Sequence, residues 1–274
     1  MDDLNNRIVL IKGAIVFLVL GLSGCQSTAT PQIEQPVPTH QIVETASPTE
    51  AVPTQTSVPT NTPDPLVEQA SLFAEPILET IANRPPDYED DFSDPNSGWD
   101  IRSYAAGQRS GKVGYEDGEY FLIADAASAQ HPDVHSWLQI PGLSVSDFVM
   151  EFDFRLVTAG IGAIYPSFRL QGKDVYVANL GLDGLVSLNT ETIDGYKVLA
   201  EAQTDLFRIG TDVHIGIIAK GPQIALYLDN QPVLMAQEKF LDHGGVILGI
   251  WNGTDTPMQV NFDNFKVWNI SNLP

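Results

Sequence analysis

Two consecutive runs of alternating apolar and polar residues lie within residues 212–233. A Gly-Pro pair separates the runs, and the sequence Asp-Asn-Gln-Pro closes the second one. A period of two places every second side chain on one face of a strand, and these turn residues favour tight reversals. The pattern therefore predicts a β-hairpin with one buried face. The residues predicted on that face are Val213, Ile215, Ile217 and Ala219 in the first run and Ile224, Leu226 and Leu228 in the second.

Short alternating runs of the same kind recur through residues 88–270, and turn residues separate them about every eight to twelve positions. No long helical period follows residue 88. This spacing is typical of an all-β sandwich or barrel, which we place at residues 88–270. The clearest runs lie at 119–124, 134–140, 148–156, 164–171, 175–180, 185–190, 246–251 and 258–268.

A helical period precedes the strands, at residues 65–84. Asp64 can cap this helix, and Pro65 suits the first helical position. We expect Pro76 to kink or split it. We interpret it as a short amphipathic helix that leads into the domain; a helix that binds a partner is the alternative. Its apolar positions are Leu66, Val67, Ala70, Phe73, Ile77, Leu78 and Ile81.

The N-terminus has the features of a secretory signal, which we place at residues 1–24. Arg7 and Lys12 accompany an apolar run at residues 13–22, which is short for a transmembrane helix. The run ends in Leu-Ser-Gly-Cys, which resembles the bacterial lipobox, with Cys25 as the lipidated residue. The alternative is an uncleaved signal anchor. Cys25 is the one cysteine of the chain, so no intramolecular disulfide can form.

Residues 25–64 are rich in Pro and Thr and show no apolar period. Such a segment buries too little apolar surface to offset its loss of conformational entropy, and repeated proline keeps it extended. We therefore expect a disordered stalk between the membrane anchor and the domain.

The chain has 35 acidic and 14 basic residues and a net charge of −21. Nucleic-acid binding needs a basic surface, so the charge argues against it. Anionic lipid would also repel this chain, which leaves a covalent or hydrophobic membrane attachment.

Four segments carry a resemblance to a known fold family: DDFSDPNSGW at 90–99, FVMEFDFR at 148–155, QIALYLDNQ at 223–231 and VNFDNFKVW at 260–268. Their order resembles the concanavalin A-like lectin/glucanase superfamily, which includes laminin G-like domains and family 16-type glycan hydrolases. The resemblance implies a two-sheet antiparallel jelly-roll sandwich, often with a glycan site on the concave face. It supports the fold far better than any activity.

Glu151, Asp153 and Arg155 lie two residues apart and share one strand face. The similar glycosidases have Glu-x-Asp-x-Glu on such a strand, so Arg155 replaces the second glutamate. Arginine cannot protonate a leaving oxygen at neutral pH, so we assign no catalytic residue and expect this face to bind ligand. The alternative is a solvent-facing strand whose charges pair with their neighbours.

Alternation also predicts a second set of outward side chains suited to sugars, because aromatic rings stack on sugar C–H faces and polar groups take hydroxyls. A core or sheet-edge position is the alternative for each aromatic residue. The predicted ligand-binding residues of this set are Trp137, Tyr165, Arg169 and Trp251, accompanied by His135, Gln139 and Tyr176.

Similar sandwiches often hold a structural calcium ion near their joined termini. Asp90, Asp91, Asp263 and Asn264 would supply its oxygen ligands; turn and strand-edge acids without a metal are the alternative. His131 and His135 are a weak metal signal because they do not lie on one helix. We therefore assign no metal site and no cofactor.

These inferences converge on a lipid-anchored bacterial lipoprotein on the extracytoplasmic side of the cell membrane. We expect a monomer whose sandwich binds glycan or another extracellular ligand without catalysis. A polysaccharide- or disaccharide-acting hydrolase and a protein-adhesion module are the alternatives.

The lipobox makes a direct prediction about Cys25. Because the cysteine sulfur carries the acyl chains, Cys25→Ser should abolish incorporation of radiolabelled palmitate and release the protein from the detergent phase. Equal labelling of the wild type and Cys25→Ser would contradict lipidation at this residue.

Overall fold

The computed structural model describes residues 65–106, 109–128, 133–158 and 160–273. The predicted signal peptide, Cys25 and the stalk lie outside the described residues. The described chain forms one helix and sixteen strands. They are α1 (Pro65–Ile81), β1 (Tyr88–Asp90), β2 (Arg102–Ala106), β3 (Arg109–Glu116), β4 (Glu119–Ala124), β5 (Val134–Val145), β6 (Phe148–Thr158), β7 (Gly162–Ile164), β8 (Ser167–Gln171), β9 (Asp174–Gly181), β10 (Leu185–Thr192), β11 (Gly195–Gln203), β12 (Asp212–Lys220), β13 (Gln223–Leu228), β14 (Gln231–Gln237), β15 (Gly244–Asn252) and β16 (Met258–Asn269).

The strands form two antiparallel sheets, which confirms the predicted two-sheet sandwich. Sheet A has the order β14-β13-β12-β6-β16-β4-β3-β2, and β1 pairs with β16. Sheet B has the order β11-β10-β9-β7-β15-β5, and β8 pairs with β15 and β9. The central neighbours of each sheet, β6 with β16 and β15 with β5, are distant in sequence, so the chain crosses between the sheets. Such crossing is typical of a jelly roll.

The inner faces of the two sheets bury one continuous apolar core. On β6, Phe148, Phe152 and Phe154 point into it, and the Phe152 ring stacks on Phe265 with centroids 5.9 Å apart. All seven residues predicted on the buried face of the central hairpin lie in this core. The alternating pattern therefore identified the inward side of β6, β12 and β13 correctly.

The turns of the central hairpin also follow from its sequence. Gly221 has φ +53°, a conformation that glycine adopts without a steric penalty. At the second turn Asp229 and Asn230 have φ +48° and +60°. Two consecutive positive values are characteristic of a type I′ turn, which matches the twist of the strands it joins. These turns fix the register of β12, β13 and β14.

Some strand boundaries differ from the prediction. Residues 164–171 were expected to form one strand, but β7 ends at Ile164 and β8 begins at Ser167. Pro166 lies between them and has no N–H for a sheet ladder. β5 in turn continues through Pro141 and Gly142 to Val145. Four further strands, β1, β2, β3 and β11, and most of β14 were not among the runs singled out from the sequence.

Helix α1 packs against the outer face of sheet A, which favours the interpretation that it belongs to the domain. Its buried side chains are Ala70, Ala74, Ile77 and Ile81. They join an apolar cluster with residues of β6, β12, β13, β14 and β16. None of the described helices is long and apolar enough to cross a membrane.

Pro76 does not split α1, which runs unbroken from Pro65 to Ile81. Proline removes the hydrogen bond to the carbonyl four residues earlier, here that of Leu72. Leu72 is 71% exposed, so water can satisfy this carbonyl. The helix therefore tolerates proline on its solvent side.

Arg169 lies in the interior, so the prediction that it belongs to a ligand-binding face is wrong. Its guanidinium is fully buried and donates to the carbonyl oxygens of Ser146 (2.8 and 2.9 Å), Gly221 (3.0 Å) and Leu241 (3.1 Å). Asp147 lies 3.5 Å away and offsets its charge. Arg169 thereby ties three chain reversals together.

Tyr176 is also internal rather than part of an outer polar face. Its side chain is 1% exposed and packs in the core, and its hydroxyl accepts a hydrogen bond from the Leu241 backbone N–H at 3.0 Å. Tyr176 and Arg169 therefore hold the same loop.

Replacing Arg169 should destabilise the fold strongly. Arg169→Met leaves buried carbonyls without donors and Asp147 without its partner, so we expect urea unfolding to show a loss of about 3 kcal/mol or more. The exposed Arg208 offers a matched control, and Arg208→Met should change the free energy of unfolding by less than about 0.5 kcal/mol. Similar losses in both variants would contradict the clamping role.

Candidate functional site

The predicted site residues lie on opposite outer faces of the sandwich and do not form one site. Glu151, Asp153 and Arg155 share a face as predicted, but β6 belongs to sheet A. Trp137 and Trp251 lie on β5 and β15 of sheet B. The two groups are therefore separated by the full thickness of the core, and each face has to be judged alone.

On sheet A, the charged side chains pair with one another. Arg155 forms ion pairs with Glu119 and, at 3.3 Å, with Asp212. Asp153 lies 2.7 Å from His214 Nδ1 and accepts a hydrogen bond from Asn264 at 2.8 Å. Sequence analysis left open, as the alternative to ligand binding, that the charged side chains of this strand pair with their neighbours, and the structure shows such pairs. A cavity of about 170 Å³ opens here, lined by Glu119, Asp153, Phe154, Arg155, Asp212, Asn261, Asp263 and Asn264.

Two carboxyl groups on this face have raised pKa values. Burial raises the pKa of Glu151, although His214 and Lys266 oppose the shift. Burial also raises the pKa of Asp263, and the nearby carboxylates, Asp153 among them, add to it. Asp263 and Asp153 are direct partners across β16 and β6. Two neighbouring carboxyl groups in different environments are the arrangement that acid–base chemistry uses.

The residues expected to bind calcium are engaged in local hydrogen bonds. Asp90 accepts from the Phe92 backbone N–H, Asp91 from Ser93, and Asp263 from the backbone N–H of Asn264. Across the described ranges, no three or more His, Cys, Asp or Glu side chains are grouped to hold a metal ion. The termini therefore do not fit the implied calcium site, and we derive no role for calcium.

On sheet B, Tyr165 and Trp137 form an aromatic end of the outer face. The Tyr165 ring lies directly over Gly249: a Cβ atom added at Gly249 would meet it at 2.0 Å. Trp137 is the cross-strand partner of Gly249, so it lies beside the ring. His135 Nδ1 and the Tyr165 hydroxyl are 3.2 Å apart. The sequence identified these side chains but not Gly249, whose lack of a side chain makes the arrangement possible.

The strand β5 that carries Trp137 is an edge of sheet B, and side chains from β2 cover that edge. Arg102 donates to the carbonyl oxygen of Trp137 at 3.0 Å, and the Tyr104 hydroxyl donates to that of His135 at 2.9 Å. Trp251 is held separately, because its indole N–H donates to Asp133 at 3.1 Å. These contacts fix the backbone beneath the aromatic side chains.

One row of paired residues crosses the outer face of sheet B. Its middle is buried, with Asn189 0%, Val177 4% and Ser167 3% exposed. Its ends are exposed, as Val198 is at 46%. The one helix among the described residues packs on sheet A and does not contribute to this burial. The row runs Val198, Asn189, Val177, Ser167, Ile247 and Gln139.

The polar end of this face was missed by sequence reasoning. Asn189 donates to Ser187 Oγ at 2.9 Å, and the hydroxyl of Tyr196 bonds to Ser187 as well. Glu191 is the cross-strand partner of Tyr196. The residues lie on β10 and β11, and the alternation of β10 already indicated its outward positions. Nothing in the sequence showed that this strand crosses the same face as Trp137.

Comparisons with known proteins agree with this architecture. No family model matches the chain. The chain is 24% identical over 193 residues to a levanase of Bacillus subtilis, covering 69% of this chain but spanning only 25% of that enzyme. The Bacillus licheniformis β-glucanase matches with a TM-score of 0.51 and 15% identity over 68% of this chain and 100% of its own. The domain has a glucanase-like jelly-roll fold.

The predicted two-sheet jelly-roll fold is thereby confirmed. A carbohydrate-binding module, CBM66, of Bacillus subtilis also matches, with a TM-score of 0.44 and 23% identity over 63% of this chain and 96% of its own. Levels of identity this low establish architecture and not activity.

The close approach of Tyr165 and Gly249 predicts energetic coupling between them. Gly249→Ala should lower the free energy of unfolding by about 1–3 kcal/mol, because the new methyl group collides with the ring. In a Tyr165→Ala background the collision is gone, so the same substitution should cost less than about 0.5 kcal/mol. Equal costs in the two backgrounds would show that the ring does not lie over Gly249.

Proposed function

We propose that this domain is a non-catalytic carbohydrate-binding module whose ligand lies on the outer face of sheet B. The observation that carries the proposal is that this face, unlike that of sheet A, has no covering helix among the described residues and has aromatic side chains at one end and polar side chains at the other. Tyr165 and Trp137 supply the aromatic end; Asn189, Ser187 and Tyr196 supply the polar end.

This arrangement suits the chemistry of a sugar. A saccharide has apolar C–H faces, which stack on aromatic rings, and hydroxyl groups, which need hydrogen-bond partners at fixed positions. The residues between the two ends, such as Val177 and Ser167, have small side chains. The levanase similarity and the glucanase-like fold support a carbohydrate ligand.

The carboxylates on this face argue for binding rather than hydrolysis. Glu191 lies four residues beyond Ser187 on β10, and Glu201 pairs with Ser187. Four residues of strand span roughly 13 Å, so the backbone positions of the two glutamates are that far apart. Glycosidases place their two carboxyl groups about 5–9.5 Å apart. This backbone spacing supports binding rather than hydrolysis at these positions.

The predicted lipidation of Cys25 and the stalk at residues 25–64 complete the proposal. They would carry the module on the extracytoplasmic side of the cell membrane and hold it away from the lipid. A stalk of this length gives the module reach toward extracellular polysaccharide.

A hydrolase on sheet A is the second candidate, favoured by one observation. Asp263, with a raised pKa, is paired across strands with Asp153. Incubation with levan, laminarin and lichenan, followed by measurement of reducing ends, tests it directly. Turnover that Asp263→Asn abolishes would establish the enzyme and overturn the non-catalytic proposal.

The binding proposal predicts the effect of removing Trp137. In the full-length chain purified in detergent, Trp137→Ala should weaken retention by immobilised levan, laminarin or lichenan about 10–100-fold, because a stacking surface is lost. Phe73→Ala is the matched control, since Phe73 is a half-buried ring on α1, across the core, and should leave binding unchanged. Equal binding by wild type and Trp137→Ala would exclude this face.

A further inference from the structure

Asn189 has a buried polar atom without a partner. The residue is 0% exposed, and its Oδ1 accepts no hydrogen bond from any of the described residues. The amide orientation is fixed, because Nδ2 faces both the hydroxyl of Ser187 at 2.9 Å and the Ser187 carbonyl oxygen at 3.5 Å. A carbonyl can only accept, so the amide nitrogen must lie on that side. The amide oxygen therefore faces away from Ser187.

An unpaired buried acceptor costs stability, so its presence calls for an explanation, and a ligand that supplies the missing donor is one. Asn189 lies between Val198 and Val177 in the row that crosses sheet B. Its neighbours in the row are apolar and offer no donor. A hydroxyl group that enters this face would complete the hydrogen bonding of Asn189.

The charges around Asn189 define which ligands can enter. Glu191 is two residues away on the same outward side of β10, and burial raises its pKa. Glu201 lies on the same side of β11 and, with Glu191, raises the pKa of Tyr196. Both glutamates are acceptors. Their charge attracts hydrogen-bond donors and repels sulfate and carboxylate groups.

No basic side chain offsets these glutamates on this face. At the outward positions of the described strands of sheet B, there is no lysine and no arginine. Lys197 points to the other side of β11, where it bonds to Glu238 at 2.9 Å. Arg169 is buried and committed to backbone carbonyls. A sulfated or uronate-containing polysaccharide would meet only negative charge.

We propose that Asn189 determines the specificity of the site: it accepts a hydrogen bond from a hydroxyl of a neutral saccharide, and the face rejects anionic glycans. This inference rests on the proposed function and adds the ligand class. An arginine such as Arg155 would suit a uronate or sulfate group. We do not propose such a ligand, because Arg155 lies on the other sheet and is paired with Glu119.

Matched pairs of polysaccharides test the ligand class. The full-length chain in detergent is titrated with laminarin and sulfated laminarin, and with levan and carboxymethyl levan, at low ionic strength. We expect the neutral member of the pair that binds to do so at least tenfold more tightly than its anionic derivative. Equal or tighter binding of the anionic derivative would overturn this inference and leave the carbohydrate-binding proposal intact. Binding of none of the four would overturn both.

Two variants test the residues. Asn189→Ala should weaken binding of the neutral polysaccharide at least tenfold while the melting temperature changes by no more than a few degrees, because the removed acceptor was unsatisfied. Unchanged affinity in Asn189→Ala would overturn its role. Glu191→Gln should lower the ratio of the affinity for the neutral polysaccharide to the affinity for its anionic derivative, because one repelling charge is lost.

Glu89→Gln is the control for the change in net charge. Glu89 is exposed on β1 in sheet A, across the core from Glu191. This variant removes the same charge and should leave the affinity ratio unchanged. An equal lowering of the ratio in Glu89→Gln and Glu191→Gln would show that the overall charge of the protein, rather than this face, excludes anionic glycans. If Asn189→Ala does not fold, Glu191→Gln still decides whether the face selects neutral ligands.

Discussion

The burial of one face of each sheet against the other is the constraint on which the rest of the structure depends. Side chains alternate along a strand, so committing Phe148, Phe152 and Phe154 to the core commits Glu151 and Asp153 to the outside. The same rule applied to sheet B turns Trp137 outward on β5. The core thus produces two outer faces, and the remaining structure determines what each of them does.

The two outer faces differ because α1 covers part of the sheet A face. Ala70, Ala74 and Ile77 extend the apolar packing over sheet A, and the uncovered part of that face is filled by ion pairs such as Arg155 with Glu119. Charges that satisfy one another offer little to a ligand, since binding would have to break those pairs. Sheet B instead has an unpaired acceptor at Asn189 and an aromatic end at Tyr165, which are features that a ligand can complete.

An acidic protein that binds sugars has to keep its charge from opposing its ligand. Neutral glycans feel little of a net charge of −21, whereas anionic ones are repelled over roughly a Debye length. The half-buried Glu191 adds a local source of negative charge on the sheet B face. The composition of the whole chain and the chemistry of the sheet B face therefore favour the same class of ligand.

The sequence by itself determined most of the strands, the inward residues of β6, β12 and β13, and the central hairpin, because alternation and turn chemistry are local. It also identified Trp137, Tyr165 and Trp251 as outward side chains. Only the tertiary structure decided that Arg169 and Tyr176 are internal, since their partners, Ser146, Gly221 and Leu241, are 23 to 72 residues away in sequence. It also separated Glu151 from Trp137 and brought Asn189 onto the face of Trp137. The sheet to which a strand belongs depends on pairing with strands that are distant in sequence. A period of two shows which side chains share a face of the strand, but not which strands lie beside it.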